Sequence, residues 1–284
     1  MLGEITLTRS GEVCVHTYTA PEAGWCVNSH VVETETALIV VDAQYMLRYA
    51  HEVTAYAAGL GKPIRRLYLS HFHPDHILGA SAFSCPIYTL ETVATKIAAV
   101  GDRVASEERE KHGDLIAAQS EQPDHIVAPS VETIDGARFE FLHLEHAETS
   151  DALMVGLPDS GILITQDLLY NGVHVFVGEQ AFDSWAAALQ RTQALDYDTL
   201  LPGHGSAGGP ELYGAMLQYL ETAHDTYEMS NSGAELKTRM IAAFPNYRGQ
   251  VLLDHQMRFL FPKTGRATTP ASGNPMIGPT SSRP

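Results

Sequence analysis

Four side chains able to hold a metal ion, His71, His73, Asp75 and His76, fall within one short stretch, Ser70–Gly79. It directly follows residues 64–69, which read as the end of a strand. Neutral imidazoles and carboxylates are the N and O donors that zinc and similar divalent ions take. If the backbone is still extended at His71 and His73, their side chains point the same way, because strand side chains alternate with period two. Pro74 has the fixed φ that suits the first turn of a helix. The chain therefore turns there and carries Asp75 and His76 toward a second metal position. A solvated polar loop is the plain alternative, and partners farther along the chain decide between the two.

Composition narrows the class. With 284 residues, 44% of them hydrophobic and 18% charged, the chain has enough apolar material for a sizeable core. The expectation is a single domain over residues 1–263, with 102–124 as a lid insertion, followed by a Pro/Ser/Thr/Gly-rich tail over 264–284. A formal net charge of −16 opposes binding to nucleic acid, whose phosphates need a basic footprint, and suits a small-molecule substrate. No stretch has the length of a membrane span, and the first residues lack the basic and apolar pattern of a leader, so the expected location is cytoplasmic. Cys14, Cys26 and Cys85 form no paired framework and read as free thiols. Oligomeric state stays open, a homodimer included.

Residues 5–41 are β-rich, with runs at 13–17, 27–33 and 37–41. Asp42 follows the most apolar of these, and a carboxylate there is either solvated at a rim or tied to backbone donors near a site. Residues 46–60 have helical spacing, and strand 64–69 then delivers the histidine-rich stretch. A short strand at 86–88 and a helix from 91 to about 100 come next, then the polar segment 102–124. A second β-rich run occupies 138–144, 153–157 and 162–165, its last two strands joined by Pro158-Asp159-Ser160-Gly161, a hairpin signal. Helical patterns at 181–195, 210–229, 233–244 and 249–260 complete the order around a short strand at 200–201. Two β-rich halves, each with helices, imply two packed sheets with helices outside.

Further ligand candidates follow later strands: His146 in Glu145-His146-Ala147-Glu148, Asp167 after 162–165, and His204 between Gly203 and Gly205, where glycines let backbone pass close to a buried ion. Tyr170, Asn171 and His174 lie near enough to Asp167 to reach a substrate, with Tyr170 and His174 as candidate donors to a substrate oxygen. His30 and His143 read as structural. The spacing singles out none of His16, His112, His125, His224 and His255.

Taken together, His71, His73, Asp75, His76, His146, Asp167 and His204 resemble the ligand pattern of the metallo-β-lactamase-fold hydrolase superfamily, over roughly residues 10–260. The resemblance implies an α+β fold, a four-layer αββα sandwich of two mixed β-sheets flanked by helices. It implies that His71, His73 and His146 hold one metal, Asp75, His76 and His204 the other, and that Asp167 bridges both. Asp167 in that position is similar to the glyoxalase II and lactonase branch. The implied cofactors are two divalent ions, zinc first, with iron or manganese as alternatives.

Two such ions about 3.5–4 Å apart make hydroxide available near neutral pH and polarise a carbonyl. Asp75 or Asp167 would pass the proton to the leaving group. The expected reaction is hydrolysis of a small-molecule lactone, ester, thioester or amide. Two other classes remain open: a mononuclear-iron oxidoreductase like the persulfide dioxygenases, and a small-molecule phosphodiesterase.

Overall fold

The structure is a computed structural model that describes residues 1–11 and 13–262, so the expected tail lies outside the described residues. In chain order the elements are β1 (Glu4–Ser10), β2 (Val13–Thr19), β3 (Asn28–Glu33), β4 (Leu38–Val41), α1 (Leu47–Gly59), β5 (Ile64–Tyr68), α2 (Pro74–Ile77), β6 (Ile87–Leu90) and α3 (Glu91–His112). There follow β7 (His125–Val127), β8 (Ser130–Ile134), β9 (Ala137–Glu145), β10 (Asp151–Leu157), β11 (Ile162–Asn171), α4 (Phe182–Gln193), β12 (Thr199–Gly205), α5 (Glu211–Glu228), α6 (Gly233–Ala243) and α7 (Gln250–Leu260).

Seven strands form the first sheet in the order β1-β2-β3-β4-β5-β6-β7, and five form the second in the order β12-β11-β10-β9-β8. Both sheets are mixed: β4 through β7 run parallel to one another, as do β11 and β12, and the remaining pairs are antiparallel. The strands at the centre are the most apolar. β4 (Leu-Ile-Val-Val) is buried throughout, as parallel strands covered on both faces require. The sheets meet through rings such as Tyr68 of β5 and Phe141 of β9, 4.9 Å apart. Each such side chain, fully buried, contributes roughly 1.5–3 kcal/mol.

Helices close the outer faces because each presents one apolar stripe. α1 buries Tyr49, Ala50, Val53 and Ala57, and α4 buries Trp185, Ala188 and Leu189. Residues 102–124 begin within α3 and run to the start of β7. α3 runs unbroken for 22 residues, so the charged positions 102–112 are its second half. Gly101, which as a residue type suggests a stop, is buried in mid-helix because Ser120 packs directly on it. No helix among the described residues is long and apolar enough to cross a membrane. Cys14, Cys26 and Cys85 are free thiols, as expected.

The histidine-rich stretch is held by close backbone approach. The Gly79 N–H donates to the Gln44 carbonyl at 2.8 Å, and the Ala43 N–H donates to the His76 carbonyl at 2.9 Å. A Cβ on Gly79 would come within 2.0 Å of the Ala43 carbonyl oxygen. Backbone cannot yield there as a flexible side-chain end could. Gly79→Ala is expected to lower the unfolding free energy by about 2–3 kcal/mol, measured by urea denaturation against the parent chain.

Candidate metal centre

The strand of the first sheet that precedes the site, β5, ends at Tyr68, and the backbone is again extended at His73, with φ −77° and ψ 146°. Pro74 then opens α2, a single turn that aims Asp75 and His76 inward. β11 of the second sheet contributes Asp167, and β12 contributes His204. β11 runs on to Asn171, well past the expected end at 165, because its later residues are buried as well. Asp167 and Tyr170 therefore sit within a strand rather than after one.

The donors fall into two groups. His71, His73, Glu148 and Asp167 form the first, and Asp75, His76 and His204 the second. In the first, His73 Nδ1 lies 3.0 Å from Glu148 Oε1, while His71 Nε2 lies 3.8 Å from Glu148 Oε2 and 3.9 Å from Asp167 Oδ2. In the second, Asp75 Oδ2 is 3.5 Å from His76 Nε2 and 3.3 Å from His204 Nε2. Asp167 joins the two groups, its oxygens each 3.3 Å from His76 Nε2 or His204 Nε2. Metal–ligand bonds of about 2.0–2.1 Å in a tetrahedron place neighbouring ligand atoms about 3.3 Å apart. The second group matches that spacing closely.

His146 is the one expected ligand that does not join the cluster. It is exposed, with a left-handed φ of 55°, and its N–H donates to the Ser150 carbonyl at 3.0 Å in the tight loop between β9 and β10. That loop turns Glu148 inward instead, where it is 2% exposed and faces His71 and His73. The family pattern names the histidine of the loop Glu145–Asp151, whereas the loop turns its glutamate toward His71 and His73. The signal for Glu148 is available only once the loop's internal hydrogen bonds are known.

Buried polar atoms report what the cluster needs. His71 Nε2, His76 Nε2, His204 Nε2, Asp167 Oδ1 and both Glu148 oxygens are buried without a hydrogen-bond partner. A buried donor or acceptor left unmade costs about 1–3 kcal/mol, and more when charged. So many together, all of ligand type and mutually 3–4 Å apart, fit a cation better than a core. The electrostatics agree. Burial pushes Asp75 toward its neutral form, but His76 and His204 outweigh it and hold the carboxyl well below the usual range. His76 is driven well above the ordinary imidazole value because Asp167, Asp75 and Asp42 outweigh its burial. Burial raises Glu148 to about 7 despite His73 beside it. Burial and the neighbouring His76 keep His71 neutral, the form that ligates. The cluster requires positive charge, which protons or metal ions would supply.

A second layer holds the ligands. The buried Asp42 carboxylate accepts from the Ser70 N–H at 2.7 Å and the Ser70 hydroxyl at 2.6 Å. It also lies 2.6 Å from His76 Nδ1 and accepts from the Gln166 amide. With Nδ1–H donating to Asp42, His76 presents Nε2 to the site. His204 is fixed the same way, its Nδ1 2.9 Å from the Trp25 carbonyl. Tyr170 donates to Asp167 Oδ2 at 2.5 Å, and its ring stacks on His204 at 4.6 Å. Gly203 is required by contact, since a Cβ there would lie 1.9 Å from Asp167 Oδ1, and Gly205 by its φ of 87°. Tyr170 lines the site. His174 does not: it is fully buried behind it, with Nδ1 3.1 Å from the Tyr219 hydroxyl. Its peptide N–H pairs with the Arg248 carbonyl, which ties the segment after β11 to the loop before α7.

Above the donors opens a cavity of about 1070 Å³. His73, Asp75, Glu148 and Asp167 are part of its lining, Trp25, Phe72, Phe176 and Phe259 supply aromatic wall, and α3 adds Arg103, Val104, Glu107 and Glu108. The polar half of α3 thus borders the site.

Known proteins share this fold. The family model of the metallo-beta-lactamase superfamily matches residues 25–204. A linear primary-alkylsulfatase from Pseudomonas sp. (strain ATCC 19151) is 27% identical over 215 residues, which is 62% of this chain. The chain spans only 40% of that relative's length. Among solved structures, a metallo-beta-lactamase from Pontibacter korlensis superposes with a TM-score of 0.59 at 23% identity, covering 77% of this chain and 99% of that one. The metallo-beta-lactamase FIM-1 from Pseudomonas aeruginosa, in its mono-zinc form, gives 0.57 at 20% identity over 77% of this chain and 96% of its own. Matched over more than half its length, the chain belongs to the metallo-β-lactamase superfamily.

Proposed function

We propose that this protein is a metal-dependent hydrolase that cleaves an ester bond of a small molecule carrying an apolar organic part. The observation that carries the reading is the set of orphaned buried ligand atoms at the floor of an aromatic-walled cavity. His71, His73 and Glu148 would hold one divalent ion, Asp75, His76 and His204 a second, and Asp167 would bridge them. Zinc is the first candidate, because imidazole and carboxylate at tetrahedral spacing suit it. When bound, such ions supply a water of lowered pKa and polarise the substrate oxygen.

The chain's own groups do the rest. Asp75 is an ionised carboxylate facing the cavity and is placed to relay a proton from the attacking water to the leaving oxygen as the bond breaks. Tyr170 keeps its proton, because burial and the adjacent Asp167 hold it well above the usual phenol value. It therefore stays a donor that orients Asp167. Trp25, Phe72 and Phe176 bind the organic part and exclude water, which strengthens every charge interaction beneath them.

The relation to an alkylsulfatase favours a second form of the same reading, in which the ester is a sulfate ester. The acid side of the ester, carboxylic or sulfuric, is what separates the two. A panel of carboxylic esters, lactones, thioesters, amides, phosphodiesters and alkyl sulfates, assayed with measured metal content, tests both. Turnover of an ester that disappears on chelation and returns with zinc is expected. Absence of bound metal together with absence of metal-dependent turnover on every substrate would overturn the proposal. Oxygen consumption with one iron per chain would point to the oxidoreductase class instead.

Substitutions separate the ligands from their neighbours. Glu148→Ala, His73→Ala and Asp167→Ala should each lower kcat/KM by more than about 100-fold, beyond the 10- to 100-fold typical of losing an outer partner, whereas His146→Ala and His112→Ala should leave it within about twofold. Equal losses at positions 146 and 148 would refute the ligand assignment. Asp42→Asn removes the acceptor that fixes His76 and should cost about 10- to 100-fold in metal affinity, read by competition with a chromophoric chelator.

A further inference from the structure

Part of the cavity wall is α7, through Leu252, His255, Arg258 and Phe259, and this helix is fastened at several points. The Glu22 carboxylate accepts from the Gly249 and Gln250 N–H groups, both at 2.9 Å, and so caps the helix N-terminus. The buried Gln256 accepts from the Val177 N–H at 2.8 Å. His255, between these anchors, lines the cavity with its ring 4.4 Å from Trp25 and 5.6 Å from Phe176. Arg258, one turn along, donates to His255 Nε2 at 3.0 Å. An arginine can only donate, so Nε2 is the acceptor and the neutral ring carries its proton on Nδ1. No described residue accepts from Nδ1. Burial and the neighbouring Arg258 lower His255 to about 4, which keeps the ring neutral.

We infer that His255 is a specificity-determining residue that donates a hydrogen bond from Nδ1 to an uncharged oxygen on the organic part of the substrate. Its aromatic neighbours bind the apolar atoms around that oxygen, and the donor rejects chains that lack it. The oxygen is uncharged because the charges in this region already pair with one another, Arg103 with Glu107 at 2.7 Å and Glu108 with Lys111 at 2.6 Å, with Arg258 3.9 Å from Glu108. The inference rests on the ester-hydrolase reading and names the substrate feature that the site selects.

Matched pairs of p-nitrophenyl esters test it: hexanoate against 4-methoxybutanoate, and octanoate against 6-methoxyhexanoate, each pair differing by one CH₂ replaced with oxygen. The metal-loaded enzyme is expected to show a KM about three- to tenfold lower for the ether member of at least one pair, the worth of one net hydrogen bond. His255→Phe, which keeps the ring contacts, should abolish that preference, and His255→Gln, which keeps a donor, should retain part of it. Binding of the corresponding free acids, followed by tryptophan fluorescence, should repeat the pattern without turnover. If no ester is cleaved but the ether acids bind more tightly, the ester-hydrolase reading fails and the donor survives. No preference in the parent enzyme by either readout, or a preference that persists in His255→Phe, overturns the inference.

Discussion

The site depends on one buried carboxylate. Asp42 ends the most apolar strand of the first sheet, is wholly excluded from solvent, and gathers Ser70 by backbone and hydroxyl, His76 by its ring and Gln166 by its amide. Ser70 and His76 belong to the loop after β5, whereas Gln166 lies on β11 of the other sheet. A single anion therefore sets the ligand loop, chooses the tautomer of a ligand and joins the two sheets. The backbone around it is bent to make these contacts. Asp42 and Gln166 both have left-handed φ, 65° and 45°, and such conformations cost of order 1–3 kcal/mol each. They persist where the surrounding contacts over-determine them, and here the same hydrogen bonds do so.

From that centre the fold divides its labour. The parallel strands and the α2 turn bring donors to one edge of the first sheet, and β11 and β12 bring Asp167 and His204 to the facing edge of the second. The glycines that permit this are spent on contact as much as on conformation. Gly203 makes room for an Asp167 oxygen and Gly79 for the Ala43 carbonyl. Aromatic rings then roof the charges, so the site combines a strongly polar floor with an apolar wall.

Much of this was legible from residue order. Alternation and β-branched runs marked the strands that bury their faces, and Pro74 marked the turn that divides His73 from Asp75. Asp75, His76, Asp167 and His204 come together, although Asp167 and His204 lie within β11 and β12 rather than after them. What failed to show did so for identifiable reasons. The edge strands β7 and β8 are short and largely exposed, without the alternation that a buried face imposes. α3 extends past Gly101 because a tertiary neighbour, Ser120, needs the space. The choice of Glu148 over His146 is made by two hydrogen bonds inside a loop, His146 to Ser150 and Ala147 to Thr149, which no periodicity records. His255 was unremarkable in sequence because its importance comes from Arg258 and from rings far away in the chain.

The presence of Glu148 where an imidazole was expected also alters the charge account of the centre. Glu148, Asp75 and Asp167 are three carboxylates against four imidazoles, His71, His73, His76 and His204. With two divalent ions in place, the donor set would carry one net positive charge, where a histidine in place of Glu148 would leave two. A less positive centre holds an anionic product less firmly and favours a small anion such as hydroxide less strongly. A two-metal centre of this kind would gain in product release what it gave up in electrophilicity, an exchange that would follow from the way one short loop folds.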